Sequence, residues 1–361
     1  MKKNPLVDVK DRIYYIDLLR ALAIMLVVLA HSIAQYGAPS HLAPLQLGGT
    51  GVDLFFLLSG WLIGSQLFKE RQRFDDIDVK RFWIRRWMRT LPAYYAVLAL
   101  TLLQQYLFKE NVTTPLPHLF FYQNYTDPSY FTISWSLALE EQFYLVIAPA
   151  ILLLHRFSKS FQTSVLVILL ILPSYFRALG WYDSLEETHV RWDCCVMGVL
   201  LANIYYQYPR LWEKVKPHTA WVALTGLLLY ISFFWTRYVP DFGTVANPNS
   251  LILAFVFAAF VIYAVNSPIK KLPIAHKTIM HISTRSYAMY LLHVEALALT
   301  SRLFPNINFI YFLIITIVVT LIVSELLFRF VEQPFLHLRD KHDFSKSRRQ
   351  QPTELAKNID Y

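Results

Sequence analysis

The sequence predicts an all-α fold, a polytopic membrane helical bundle of about ten transmembrane helices. Three observations carry that expectation. Hydrophobic residues make up 55% of the 361 and charged residues only 16%, whereas a soluble domain carries about 25% charged residues. Apolar runs near the roughly 20 residues that a spanning helix needs recur along almost the whole chain. Lys and Arg are unevenly placed: they crowd the N-terminus, the stretch 69–89 and the tail 339–357, and none occurs in 32–67. That asymmetry keeps basic loops on one side of a bilayer. It accounts for the net charge of +9, which therefore gives no reason to expect a nucleic-acid partner.

The expected spans are approximately 13–33, 51–68, 90–108, 134–154, 162–179, 190–207, 219–236, 248–265, 283–304 and 309–331. The first run, YYIDLLRALAIMLVVLAHS, keeps Asp17, Arg20 and His31 and has no small-residue cleavage site. It reads as a retained helix, not a removed signal. The second, GGTGVDLFFLLSGWLIG, is short and is interrupted at Ser59–Gly60, where small residues let helices approach closely. The third begins at Leu91–Pro92, after a basic stretch. The sixth carries Asp193 and the adjacent Cys194 and Cys195. Neighbouring cysteines do not readily reach disulfide geometry, so these read as structural thiols. The tenth is expected to end at Glu332–Gln333–Pro334, because a residue before proline is pushed out of helical geometry. The domain organisation is then a membrane domain, 1–338, and a polar tail, 339–361. An even number of spans places both termini in the cytoplasm. The loop 110–133, with Pro115, Pro117 and Pro128, reads as an ordered cap or a re-entrant segment over a cavity and holds Asn-x-Thr sequons at Asn111 and Asn124.

Four constellations bear chemistry. Arg20 and His31 are eleven residues apart, which is three helical turns plus about 20°, so they share one face about 16 Å apart. Ionisable groups at membrane depth face a protein interior or a wet cavity. His31 suits a general base; the structural alternative makes Arg20 an interfacial anchor. Asp53 either caps its helix or orients a histidine. In RFWIRRWMRTLPAYY, Arg81, Arg85 and Arg89 recur on one face with Arg86 beside them. They form either a basic girdle or an array for a phosphorylated ligand such as a nucleotide or coenzyme A. In ISWSLALEEQFYLVIAP, Ser136, Glu140 and Tyr144 form a polar stripe, with Glu141 on another face; the alternative for Glu140 is an ion pair with Arg191. ISTRSYAMYLLHVEAL adds Ser286, Tyr290 and His293 on one face. No Walker sequence, GxSxG elbow, zinc-type His/Cys cluster or HExxH occurs, so no metal is expected.

Together these motifs resemble the acyltransferase-3 family of integral membrane acyltransferases, from about Tyr15 to Pro334. IDLLRALAIMLVVLAHS carries its Arg-x10-His motif at Arg20 and His31. GGTGVDLFFLLSGWLI is similar to its second-span motif at Asp53, Phe55, Ser59 and Gly60. RRWMRTLPAYY matches its Arg-x-x-Arg motif at Arg86 and Arg89, and SWSLALEEQFY its Trp-Ser-Leu-x-x-Glu motif. RWDCCVMGVLL, SYAMYLLH and VEQPF resemble later ones.

The resemblance implies transfer of an acyl group, most often acetyl, from an acyl-CoA co-substrate to a hydroxyl. The acceptor would be an extracytoplasmic envelope glycan, a lipid-linked sugar or another hydroxyl compound. It also implies a bacterial inner membrane and no permanently bound cofactor. The soluble SGNH-type domain fused to some members is expected to be absent.

On this expectation Arg85, Arg86, Arg89 and Arg20 bind the donor. His31 is the base, oriented by Asp53 or Glu140. Ser136, Tyr144, Arg191, Tyr290 and His293 face the acceptor or the oxyanion. Acceptor specificity falls to the outer loops, including His118, Tyr122, Asn124 and Trp181. The alternative from another class is a transporter or flippase of an amphipathic envelope precursor.

Overall fold

A computed structural model describes residues 14–39, 41–108, 114–126, 130–238, 250–267 and 275–341. Helices and turns are the only regular elements among them. The main helices are α1 (Tyr14–Gln35), α2 (Gly51–Phe74), α3 (Val79–Phe108), α4 (Trp135–Leu154), α5 (Lys159–Leu179) and α6 (Asp193–Gln207). They continue with α7 (Thr219–Tyr238), α8 (Ser250–Asn266), α9 (His276–Leu303), α10 (Phe309–Leu327) and α11 (Gln333–Lys341). Each segment expected to span is helical. Six helical segments are long and apolar enough to cross a membrane, namely Tyr14–Gln35, Pro44–Phe74, Val79–Phe108, Thr132–Leu154, Lys159–Leu179 and Phe309–Lys341. α8 is apolar but shorter, and α6 has only 15 residues.

The expected stop at Pro334 does not occur. A π turn, Phe328–Glu332, follows α10, and the chain runs on as α11 to Lys341. Widening the hydrogen-bond ladder by one residue absorbs the proline's missing N–H and the clash of its ring with the preceding turn. The boundary expected at 338 therefore falls inside a helix. The tail beyond it, like Asn111, lies outside the described residues.

The centre of the bundle is the α2–α6 contact. A Cβ on Gly60 would lie 2.0 Å from the Cys195 carbonyl oxygen, and one on Gly198 2.2 Å from that of Leu57. The two backbones touch, which only glycine permits, and close approach of this kind replaces the missing hydrophobic drive between helices in lipid. Cys194 and Cys195 are fully buried free thiols in that seam.

α1 and α9 lie side by side and run in the same direction. The Ser283 hydroxyl donates to Asp17 (2.5 Å), Arg20 donates to the Ser286 hydroxyl (3.1 Å), and the His31 and His293 rings meet at 2.7 Å. Over its described residues, 114–126 and 130–134, the expected cap is tied to α3 and α4. Tyr94 and Tyr95 donate to the carbonyls of His118 and Leu119 (2.9 and 3.0 Å), and Gln123 donates to Ser134 O (3.0 Å). Asn124 is buried and closes a ring with Gln142 (2.9 Å) and Thr188 (2.8 Å). Its amide is committed to the fold, which removes Asn124 both as an open sequon and as an acceptor-facing residue.

Candidate active site

A cavity of about 370 Å³ opens between α1, α2, α3, α4, α9 and α11. Arg20, Arg85, Arg86, Arg89 and Arg339 line it, against one carboxylate among the described residues, Glu140. Phe55, Phe56, Leu58 and Leu62 supply an apolar wall, and Ser136, Ser286 and Tyr290 supply hydroxyls. The basic stretch of α3 thus delivers three of its arginines to one space. Arg81 is turned away and pairs with Glu70 at 3.9 Å. Arg339 was not legible in the sequence: it lies in what reads as the first residue of the polar tail, and only the continuation of the helix through Pro334 brings it back. The neighbouring Asp340 pairs with Arg85 at 3.8 Å.

Arg86 is held from three sides. It donates to the Tyr144 hydroxyl, its guanidinium lies 4.2 Å over the Tyr144 ring, and Glu140 Oε2 stands 3.8 Å away. The Tyr144 hydroxyl also bonds Ser59 Oγ at 2.5 Å. Tyr144 is 1% exposed. It is not among the residues that line the cavity and stands behind its wall, in contrast to the sequence-based expectation. Glu140 pairs with Arg86, whereas the expected structural partner, Arg191, lies elsewhere. Glu141 is buried on the other face of α4 and accepts from Thr90 at 2.8 Å.

Ser136 and Tyr290 bond each other at 2.5 Å and share the Ile133 carbonyl (3.1 and 3.0 Å). One turn beyond Tyr290 on α9 sits His293, fully buried, its Nδ1 2.7 Å from the Tyr290 carbonyl oxygen. Its ring lies nearly coplanar with that of His31, 13° between the planes and centroids 5.0 Å apart, edge to edge across the hydrogen bond. His31 is half-buried, and its Nε2 is not among the sealed nitrogen atoms. Among the described residues no carboxylate bonds His31, so neither Asp53 nor Glu140 orients it.

Asp53 belongs to a separate buried charge cluster. Arg191 pairs with it at 3.1 Å and lies 5.9 Å over Trp135. Arg177, which the sequence did not single out, pairs with Asp193 at 2.8 Å, and the Ser250 hydroxyl donates to Asp193 at 2.7 Å. Paired in this way, four charges tie α2, α5, α6 and α8 together inside an apolar bundle. The residues expected at the acceptor or oxyanion therefore divide. Ser136 and Tyr290 line the cavity, His293 backs His31, and Tyr144 and Arg191 are structural supports. No group of acidic, His and Cys residues suited to a metal occurs among the described residues.

The cavity thus combines five guanidiniums with the hydroxyls of Ser136, Ser286 and Tyr290, while the His31–His293 pair, one turn beyond Tyr290, stands just outside its lining. Comparison with known proteins accords with that chemistry. The family model described as "Acyltransferase domain" matches residues 13–329. The chain is 27% identical over 353 residues to the peptidoglycan O-acetyltransferase OatA of Listeria monocytogenes, covering 88% of this chain and 55% of that protein. It is 27% identical over 348 residues to the O-acetyltransferase OatA of Staphylococcus aureus, covering 88% and 56%. A putative O-acetyltransferase of S. aureus strain COL is 29% identical over 360 residues, covering 89% and 56%. The chain thus spans about half the length of these curated relatives. No solved structure matches it. With the family model covering most of its length and the motif residues Arg20, Arg86, Arg89 and Glu140 gathered around one cavity, this chain belongs to the acyltransferase-3 family.

Proposed function

We propose that this protein is a membrane O-acyltransferase that moves an acetyl group from acetyl-CoA, bound from the cytoplasm, to a hydroxyl of an envelope glycan. The observation that carries this reading is the cavity itself: five guanidiniums line it together with Ser136 and Tyr290, and the Tyr290 ring lies 5.5 Å from that of His293, the partner of His31. The donor phosphates meet Arg85, Arg86, Arg89 and Arg339, since guanidiniums in a fixed array bind phosphate oxygens bidentately. The pantetheine arm follows α1 past Arg20, and the thioester comes to rest near His31. The acceptor oxygen attacks the thioester carbonyl as its proton passes to His31, and the Ser136 and Tyr290 hydroxyls turn from the Ile133 carbonyl to donate to the developing oxyanion. The carbon–sulfur bond then breaks, and the proton held by His31 goes to the departing thiolate. In this reading the bundle crosses the membrane ten times, with both termini and the arginine-rich mouth on the cytoplasmic side of a bacterial inner membrane. The OatA relatives, named as O-acetyltransferases and one as acting on peptidoglycan, favour a glycan acceptor.

The test is transfer by the purified protein in nanodiscs, with radiolabelled acetyl-CoA and cell-wall glycan fragments as acceptor. Label should move to the glycan and fail to move with His31→Ala, a loss of about 10²–10⁴-fold if the histidine acts as general base. Turnover by a folded His31→Ala protein would refute the assignment of the base. Absence of donor binding would refute the donor.

A further inference from the structure

We infer that His293 is a positioning residue that fixes the tautomer of His31, so that His31 Nε2 always presents its lone pair to the acceptor hydroxyl. This rests on the acyl-transfer reading above and adds to it the means by which a histidine without a carboxylate partner is kept competent.

The argument is one of donor and acceptor arithmetic. A backbone carbonyl only accepts, so the 2.7 Å contact between His293 Nδ1 and the Tyr290 carbonyl oxygen requires the proton on His293 Nδ1. In a neutral imidazole the other nitrogen is then an acceptor. His293 Nε2 lies 2.7 Å from His31 Nδ1, so the hydrogen in that bond belongs to His31 Nδ1. It follows that neutral His31 carries no proton on Nε2. That is the nitrogen with no partner among the described residues, and it is not sealed from its surroundings. The direction of the relay is set by one peptide carbonyl and cannot reverse without breaking a buried hydrogen bond. His293 is fully buried in α9, with Tyr290 packed 5.5 Å from its ring, so it has no space in which to flip.

The relay differs from a carboxylate-backed histidine in one chemical respect. When His31 takes the acceptor proton on Nε2, the new charge is shared with a neutral ring and not neutralised by an anion. The imidazolium is therefore short-lived, and returning the proton to the leaving thiolate is favourable. Atoms and charge balance without any further group: the hydroxyl proton ends on the coenzyme A sulfur.

The experiment is nitrogen-15 NMR of histidine-labelled protein in nanodiscs, with His31→Asn used to assign the His31 signals. Protonated and unprotonated ring nitrogens resonate far apart. Wild-type His31 should show a protonated Nδ1 and an unprotonated Nε2. His293→Leu removes the acceptor, so the single tautomer should be lost and kcat should fall by about 10²–10⁴-fold, the range set by loss of general-base action or by a wrong tautomer. KM for both substrates should stay unchanged. His293→Gln, whose amide oxygen can accept from His31 Nδ1, should restore the tautomer and most of the kcat. A protonated Nε2 in the wild type, or unchanged His31 signals in His293→Leu, would overturn the inference while leaving the base assignment standing. Turnover by folded His31→Ala would instead remove the base assignment and this role with it.

Discussion

Tyr144→Phe separates two roles for its hydroxyl, holding Arg86 and stabilising an oxyanion. The hydroxyl accepts from Arg86 and bonds Ser59 at 2.5 Å, while the ring lies 4.2 Å beneath the Arg86 guanidinium. Phenylalanine keeps the ring and its cation–π contact but removes the charge-assisted hydrogen bond. Such a bond contributes roughly 1.5–3 kcal/mol. Arg86 retains the ring and Glu140 at 3.8 Å as tethers, so the lower end applies. About 1.5 kcal/mol corresponds to roughly a tenfold weaker donor complex. The assay is equilibrium binding of labelled acetyl-CoA to protein in nanodiscs, paired with kcat and KM for transfer. The expected result is a weaker donor complex with kcat nearly unchanged. The opposite pattern, intact donor affinity with kcat reduced about 10²–10³-fold, is what removing an oxyanion donor does. It would refute the placement of Tyr144 behind the cavity wall.

Three further outcomes follow from the packing and the charges. Arg191→Met leaves Asp53 buried without its cation and should cost about 3–5 kcal/mol of stability. The double variant with Asp53→Asn should recover much of this, and equal thermal stability of single and double variants in detergent would show that the pair is uncoupled. Gly60→Ala forces a methyl group against the Cys195 carbonyl, a backbone atom that cannot swing aside. It should destabilise by at least the ~1–3 kcal/mol of ordinary overpacking, and a wild-type melting temperature would contradict the α2–α6 contact. Burial holds the His118 imidazole in the cap below its ordinary pKa. The neutral ring is then the form that the folded cap prefers, so its stabilisation is present above about pH 6.5 and is lost as pH falls towards the lowered folded value. Cleavage of the cap by a protease, normalised to an unfolded peptide, should accelerate between pH 7.5 and 5.5. His118→Phe should flatten that response, and a flat wild-type response would overturn it.

The helical architecture was legible because apolar length is a local property of the chain. So was the gathering of Arg20, Arg86, Arg89 and Glu140, since each sits in a motif whose helical face can be counted. What failed was counted too far along a helix or depended on the next helix over. Ser136, Glu140 and Tyr144 form one stripe by spacing, yet eight residues accumulate about 80° of drift. Tyr144 therefore turns behind the wall that Ser136 and Glu140 form. Asp53 was paired in prospect with His31, but the bond goes to Arg191, 138 residues away, and no local pattern encodes a contact between α2 and the start of α6. Arg339 was hidden by a proline rule that holds for an α-turn and is relaxed by a π turn.

The rungs between α1 and α9 join residues 262–266 positions apart. α1 thus carries an imidazole whose partner, His293, is synthesised 262 residues after it. Until α9 inserts, His31 has no partner to hold its proton on Nδ1, and the cavity lacks the wall that Ser286 and Tyr290 provide. A chain interrupted anywhere before α9 holds the arginines of α3 and the carboxylate of α4 but no assembled centre. On the proposed acyl-transfer reading, the order of synthesis therefore guards the donor thioester: an unfinished chain lacks the paired histidines that would discharge it.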